Sequence, residues 1–90
     1  MENVVYKLSQ DWVLHKEDSE IKKFYLFNIS DGTIVKLNEV SYDFLSLIDG
    51  ETGLDIVIGE TFKIFKVEKS QLLKDLSELI QKCRDHKILI

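Results

Sequence analysis

The stretch Asp31–Gly50, DGTIVKLNEVSYDFLSLIDG, decides the fold, because within it a short strand runs directly into a helix. Asp31-Gly32 supplies the positive φ angles of a tight hairpin turn, which predicts a strand on either side. Thr33–Leu37 is the second of these strands. Asn38 is a good N-cap, and the apolar residues after it recur at the spacing of one helix face. The stretch therefore predicts a β-hairpin joined to a helix without a linker.

Two further strands are predicted before the hairpin turn. Residues 12–17 (WVLHKE) and 24–29 (FYLFNI) are rich in β-branched and aromatic side chains. The polar residues 18–23 separate them as a loop. Three consecutive strands joined in this way form an antiparallel meander. The third strand is then an edge, whose unpaired N–H and C=O groups can accept a guest strand.

The hairpin also predicts two different sheet faces. If Asp31-Gly32 is a two-residue loop, Ile29 pairs with Ile34 and Leu26 with Leu37. Leu26, Val35 and Leu37 then face the helices. The outer face collects Tyr25, Phe27, Ile29 and Ile34. Because this face is too apolar for bare solvent, we expect a cover for it. The N-terminal Val4-Val5-Tyr6 is the preferred cover, and a second copy of the protein (a homodimer) or a partner enzyme are the alternatives.

Three helices are predicted after the strands. The first ends at Asp49-Gly50, where glycine suits the left-handed residue after the last turn. Thr52 with Asp55 resembles a capping box that opens the second helix. The third starts at Glu68 or Ser70 and has the clearest apolar stripe: Leu72, Leu76, Leu79, Ile80 and Cys83, with Leu73 along one edge. Strands followed by helices predict an α+β fold, with a three-stranded antiparallel sheet and then three helices.

Length and charge narrow the classes of function. Ninety residues predict one domain, residues 1–90, whose first 11 residues form an extra strand or arm. No apolar run approaches the roughly 18 residues that cross a bilayer, and no secretory signal is recognisable. We therefore expect a cytoplasmic protein that does not bind membranes. A net charge of −4 argues against a nucleic-acid partner and fits a protein or peptide partner.

No catalytic or cofactor site is expected. Cys83 is the only cysteine and falls on the apolar face of the third helix, where a buried thiol is the preferred interpretation. His15 and His86 are far apart and lack the spacing of metal ligands. The sequence has no set of serine, histidine and aspartate, no paired carboxylates in a plausible cleft, and no phosphate loop. The expectation is therefore no catalytic residue, no metal and no cofactor.

The ordered pattern over about residues 12–89 resembles the PqqD-like domains, also called RiPP recognition elements. These small domains take part in making ribosomally synthesised, post-translationally modified peptides. No single motif carries the resemblance, which rests on the order and spacing of the whole set. The residues that match are Gly32, Leu37-Asn38, Phe44, Leu47, Asp49-Gly50, Thr52, Ile56-Val57, Val67, Leu72, Asp75-Leu76, Leu79 and Ile88-Leu89.

The resemblance implies a winged-helix-like fold and a non-catalytic peptide binder. In such domains the leader segment of a precursor peptide adds as a strand to the third strand and packs into a groove against the third helix. The domain then presents the precursor to a modifying enzyme, such as a radical enzyme, or to a leader peptidase. The peptide-binding residues expected on this basis are Thr33, Ile34, Val35, Lys36, Leu37, Lys69, Leu73, Leu76, Ser77, Ile80 and Arg84.

On the third helix, the expected groove wall is one edge of the apolar stripe. Leu73 and Ile80 are the apolar residues of that edge, and a cleft can open where a buried stripe ends. Lys36, Lys69 and Arg84 are basic residues that could meet acidic residues of a leader. Leu76 lies at the middle of the stripe, where a core position is expected.

Two other functions remain open at this point. One is a winged-helix DNA-binding regulator that uses the third helix for recognition. The outward positions of that helix argue against it because they carry mixed charge. The other is an adaptor that binds an enzyme but no peptide substrate. The outward positions are Gln71, Lys74, Asp75, Glu78, Lys82 and Asp85.

Overall fold

The computed structural model describes residues 4–90 and shows a three-stranded antiparallel sheet followed by three helices. The strands are β1 (Trp12–Glu17), β2 (Lys23–Asn28) and β3 (Ile34–Leu37), in the order β1-β2-β3. The helices are α1 (Glu39–Ser46), α2 (Leu54–Phe65) and α3 (Lys69–Asp85). The predicted α+β, winged-helix-like class is confirmed.

The pairing of β2 with β3 differs from the predicted register by two residues. Leu26 lies opposite Val35, and Phe27 lies opposite Ile34, whereas a two-residue loop would have placed Leu26 opposite Leu37. Side chains alternate between the two faces of a strand, so a slip of two residues returns each of them to the same face. The inner and outer faces of the paired residues are therefore as predicted although the register is wrong, whereas Ile29, predicted on the outer face, lies in the turn after β2.

A buried asparagine explains the longer turn. The Asn28 N–H donates to the Thr33 carbonyl at 2.8 Å, which leaves four residues in the loop. The Asn28 side-chain oxygen accepts hydrogen bonds from the N–H groups of Ser30 and Asp31, at 2.8 and 3.1 Å. Gly32 then takes a φ of +79°, a conformation that glycine adopts without strain.

The core lies between the inner sheet face and the three helices. Phe44, Leu45 and Leu26 are almost fully buried at its centre. The segment around Gly59, which could have been a strand by propensity, is helical in α2. Its buried residues recur at helical spacing and pack on the other helices. The buried core residues are Leu26, Phe44, Leu45, Leu54, Val57, Ile58, Leu72, Leu76, Ile80, Cys83, Ile88 and Leu89.

One of the two predicted side-chain N-caps is correct, and the predicted end of α1 at Asp49-Gly50 is wrong, because α1 ends at Ser46 with Leu47 as its C-cap. Asn38 caps α1, because its side-chain oxygen accepts the Ser41 N–H at 2.7 Å. The predicted capping box at Thr52 is wrong. The Asp49 carboxylate instead accepts the Thr52 and Glu51 N–H groups and the Thr52 hydroxyl, and these bonds lower the pKa of Asp49. Helix α2 begins after Gly53 without a side-chain cap.

The N-terminal arm lies on the helical side of the molecule. The Val4 carbonyl accepts the Leu54 N–H at 2.7 Å, and Lys7 and Ile90 exchange two backbone hydrogen bonds of 2.9 Å. The arm therefore ties the start of α2 to the C-terminal tail. The expectation that Val4–Tyr6 covers the outer sheet face is wrong, because these backbone bonds hold the arm elsewhere.

No helix between residues 4 and 90 is both long enough and apolar enough to cross a bilayer.

Candidate functional site

Strand β3 presents an open backbone edge. It pairs with β2 on one side, and within the described residues no strand pairs with it on the other. Asn28 and Thr33 are opposite each other and hydrogen-bonded, so alternation places Val35 in a bonded pair with β2 as well. The N–H and C=O groups of Ile34 and Lys36 therefore point away from the sheet.

A groove of about 390 Å³ runs between this strand and α3. Strand β3 and the first turn of α1 form one wall of the groove, and the C-terminal half of α3 forms the other. Apolar side chains dominate the interior, so an occupant that buries apolar side chains here gains the free energy of leaving water. The lining residues are Trp12, Leu26, Thr33, Val35, Lys36, Leu37, Asn38, Ser41, Leu79, Lys82, Cys83, His86 and Ile88.

The wall of this groove on α3 is the opposite edge of the stripe from the one expected from the sequence. Leu79, Lys82, Cys83 and His86 form it. They lie on the Leu79 side of the buried stripe, whereas the expected wall was on the Ile80 side. The periodicity of the sequence shows both edges of the stripe equally. Which of them borders β3 depends on how α3 packs across the sheet.

The expected site residues are thus placed in two groups. All five of the expected strand residues border the groove or the open edge: Thr33, Ile34, Val35, Lys36 and Leu37. None of the six on α3 lines the groove: Lys69, Leu73, Leu76, Ser77, Ile80 and Arg84.

Burial explains the positions of these six residues. Leu76 and Ile80 are core residues that are 1% and 8% exposed, and Leu73 packs beside them. The other three, Lys69, Ser77 and Arg84, are exposed.

Cys83 is the buried member of the α3 wall of the groove. Its side chain is buried within the core cluster, as the sequence predicted, and burial raises the pKa of the thiol from 9.0 to about 11. The thiolate is the nucleophilic form of cysteine. A thiol that remains protonated at neutral pH suits a packing role in the groove wall.

The raised pKa of Cys83 makes stability depend on pH in the alkaline range. Between pH 9 and about 11 the unfolded chain loses the thiol proton and the folded protein keeps it. The free energy of unfolding from this source is therefore constant below pH 9 and falls as pH rises towards 11. We expect urea denaturation to show the stability difference between wild type and Cys83→Ala narrowing over this window. A difference that stays constant from pH 8 to 11 would contradict a buried thiol.

A second depression, of about 580 Å³, lies on the outer sheet face. Ile34 is 61% exposed and Phe27 38% exposed there. With the arm bound on the helical side, this apolar face is open within the described residues. Its lining residues are Val13, His15, Glu17, Tyr25, Phe27, Ile34 and Lys36.

The geometry of an open edge strand beside a groove and a long helix can be compared with known proteins. The family model of coenzyme PQQ synthesis protein D (PqqD) matches residues 23–89, which include β2, β3 and all three helices. This chain belongs to the PqqD family. A search of curated proteins finds no match to the chain.

Among solved structures, one that matches the PqqD-family chain is TbiB1 in complex with the TbiA(beta) leader peptide. The two have a TM-score of 0.72 and 18% sequence identity, and the match covers 92% of this chain and 93% of TbiB1. At this identity the likeness is one of fold. Together the family and the fold confirm the resemblance stated from the sequence. Neither favours the DNA-binding regulator or the adaptor without a peptide substrate.

Proposed function

We propose that this protein binds the leader segment of a ribosomally made precursor peptide and presents it to a modifying enzyme or a leader peptidase. The leader adds as a fourth strand to the open edge of β3, and its inward side chains occupy the groove between β3 and α3. Residues 1–90 act in this as one non-catalytic peptide-recognition domain in the cytoplasm. Membership of the PqqD family and the leader-bound state of TbiB1 support the proposal.

The observation that carries the proposal is the position of the groove directly beside the open edge of β3. A guest strand on β3 gains backbone hydrogen bonds at Ile34 and Lys36, while every second side chain points into the groove. The main-chain bonds would supply affinity, and the apolar floor would select the side chains. The strand that runs directly into α1 thus has a use as a docking edge.

Isothermal titration tests the proposed function. We expect the leader of the cognate precursor to bind with micromolar or tighter affinity, about −8 kcal/mol or better. The core segment of the same precursor serves as the control and should give no heat. If neither the leader nor the complete precursor binds, the proposed function is wrong.

For the partner enzyme, we propose that it docks on the outer sheet face. The side chains of Ile34 and Lys36 belong to this face, and the backbone of the same two residues forms the docking edge. A leader strand added to β3 would extend the face by one strand. An enzyme bound there would contact both the domain and the bound leader. It would therefore distinguish the leader-bound domain from the free domain.

A lysine on the outer face should separate enzyme docking from leader binding. Val13→Lys places a charge in the apolar depression, on β1 and away from the groove lining. We expect leader affinity to stay unchanged and leader-dependent stimulation of the modifying enzyme to fall roughly tenfold, as at the centre of a protein interface. Val5→Lys, at another exposed valine, is the matched control.

Analytical sedimentation distinguishes a second copy of the protein from the partner enzyme as the occupant of the outer sheet face. If wild-type protein sediments as a dimer and Val13→Lys as a monomer, a second copy covers the face and the enzyme does not dock there. Unchanged stimulation of the enzyme by Val13→Lys would also contradict docking on this face.

A further inference from the structure

Two lysines flank the groove and its strand. Lys82 belongs to the α3 wall, and Lys36 lies on β3 opposite Tyr25, with its side chain on the outer face. Among residues 4–90, no aspartate or glutamate lines the groove. The whole chain, in contrast, carries 16 acidic residues against 12 lysines and arginines. The groove of this acidic protein therefore carries positive charge from Lys82, while on the outer face Lys36 shares its depression with Glu17.

These cations have no ion-pair partners among the described residues. The one side-chain ion pair found between residues 4 and 90 joins Lys63 to Glu60 on α2. Glu78 lies one turn before Lys82 on α3 but makes no ion pair with it. Aspartates of α3 are engaged instead by glutamine side chains of the same helix. The positive charge at the groove is thus available to a bound molecule.

We infer that the groove selects acidic leaders, in which carboxylates flank apolar anchor residues. This inference rests on the proposed function and specifies the chemistry of its ligand. A guest strand on β3 alternates its side chains between two faces. Those pointing inward meet the apolar floor, and beyond it Lys82 of α3. The guest side chain opposite Lys36 lies on the outer face beside that ammonium group, as in a cross-strand pair of opposite charge.

The two kinds of contact contribute differently to binding. An exposed ion pair changes affinity by roughly two- to fivefold, so Lys36 and Lys82 alone cannot hold a peptide. Burial of apolar anchors supplies the larger part of the affinity. The charges then decide which of several apolar peptides binds, and they raise the association rate of acidic ones at low salt.

Selection from a random library of 12-residue displayed peptides tests the inference even when the sequence of the natural leader is unknown. Wild-type protein should enrich peptides with alternating apolar residues next to aspartate or glutamate. Lys82→Glu should replace the acidic preference beside the inward anchors by lysine or arginine. Lys36→Glu should likewise replace the acidic preference by lysine or arginine at the peptide position that lies beside residue 36 on the outer face. Lys74→Glu is the matched control, because Lys74 is exposed on the same helix and does not line the groove.

The outcomes separate the inference from the proposed function. The inference is supported if wild type selects acidic peptides and if Lys82→Glu, but not Lys74→Glu, changes that preference. If the enriched peptides show no acidic preference, or if Lys82→Glu and Lys36→Glu both leave it unchanged, the inference of an acidic leader is wrong. The proposal of peptide binding is then still in place. Enrichment no greater than that on Leu79→Glu, which blocks the groove wall, overturns both.

Discussion

Lys36→Pro should weaken leader binding at least about fivefold while the protein keeps a melting temperature near that of wild type. The Lys36 N–H points away from the sheet, so the change to proline removes no bond that holds the fold. It does remove a donor to the guest strand, and the ring crowds the approach of that strand. A guest carbonyl left unpaired costs about 1–3 kcal/mol, which corresponds to roughly five- to a hundredfold in affinity.

Val35→Pro is the matched control for this effect, one residue away. The Val35 N–H lies in a hydrogen-bonded pair with Leu26, so proline there breaks the ladder between β2 and β3. With a similar cost of about 1–3 kcal/mol, the melting temperature should fall by roughly 5–20 °C.

Melting curves and leader titrations for both proline variants check the pair. If Lys36→Pro binds the leader as well as wild type does, the leader does not add to this edge. If Val35→Pro is instead the milder change, the bonded pairs of the hairpin are assigned to the wrong residues.

The second large effect concerns two neighbouring residues on α3. Ile80→Glu should unfold the protein, because Ile80 is a core residue and an ionised carboxylate there would be buried without a partner. Leu79→Glu should leave the protein folded, because Leu79 is only half-buried on the groove wall. It should weaken leader binding by about 1–3 kcal/mol, since a charge then faces the apolar anchors of the leader.

Circular dichroism and leader titration check this second pair. If the Ile80→Glu variant is folded and binds the leader poorly, the leader contacts the Ile80 edge of α3 and not the Leu79 edge. A Leu79→Glu variant with wild-type affinity would show that the leader does not reach the Leu79 wall.

Local signals in the sequence predicted the elements and their faces. The alternation in β2 and β3 assigned the sheet faces correctly because a face depends only on whether a position is odd or even. The register depended on the turn, and the Asp31-Gly32 pair suggested a two-residue loop. Asn28, whose side chain organises a four-residue loop, gave no local signal that it would be buried.

The position of the groove could be predicted only in part. The open edge of β3 follows from a meander of three strands and was predicted from the sequence. The groove wall on α3 was not, because an apolar stripe has two edges and the packing of the helix on the sheet decides between them. The path of the N-terminal arm could not be predicted either, since its backbone bonds reach Leu54 and Ile90, far away in the chain.

Amide hydrogen exchange measured by NMR, with and without a bound leader, tests strand addition most directly. The N–H groups of Ile34 and Lys36 point to the open edge, whereas that of Val35 is bonded within the sheet. Leader binding should therefore slow exchange strongly at positions 34 and 36 and change it little at position 35, which serves as the internal control. If the leader binds and exchange at Ile34 and Lys36 stays as fast as in the free protein, the leader does not form a fourth strand on β3.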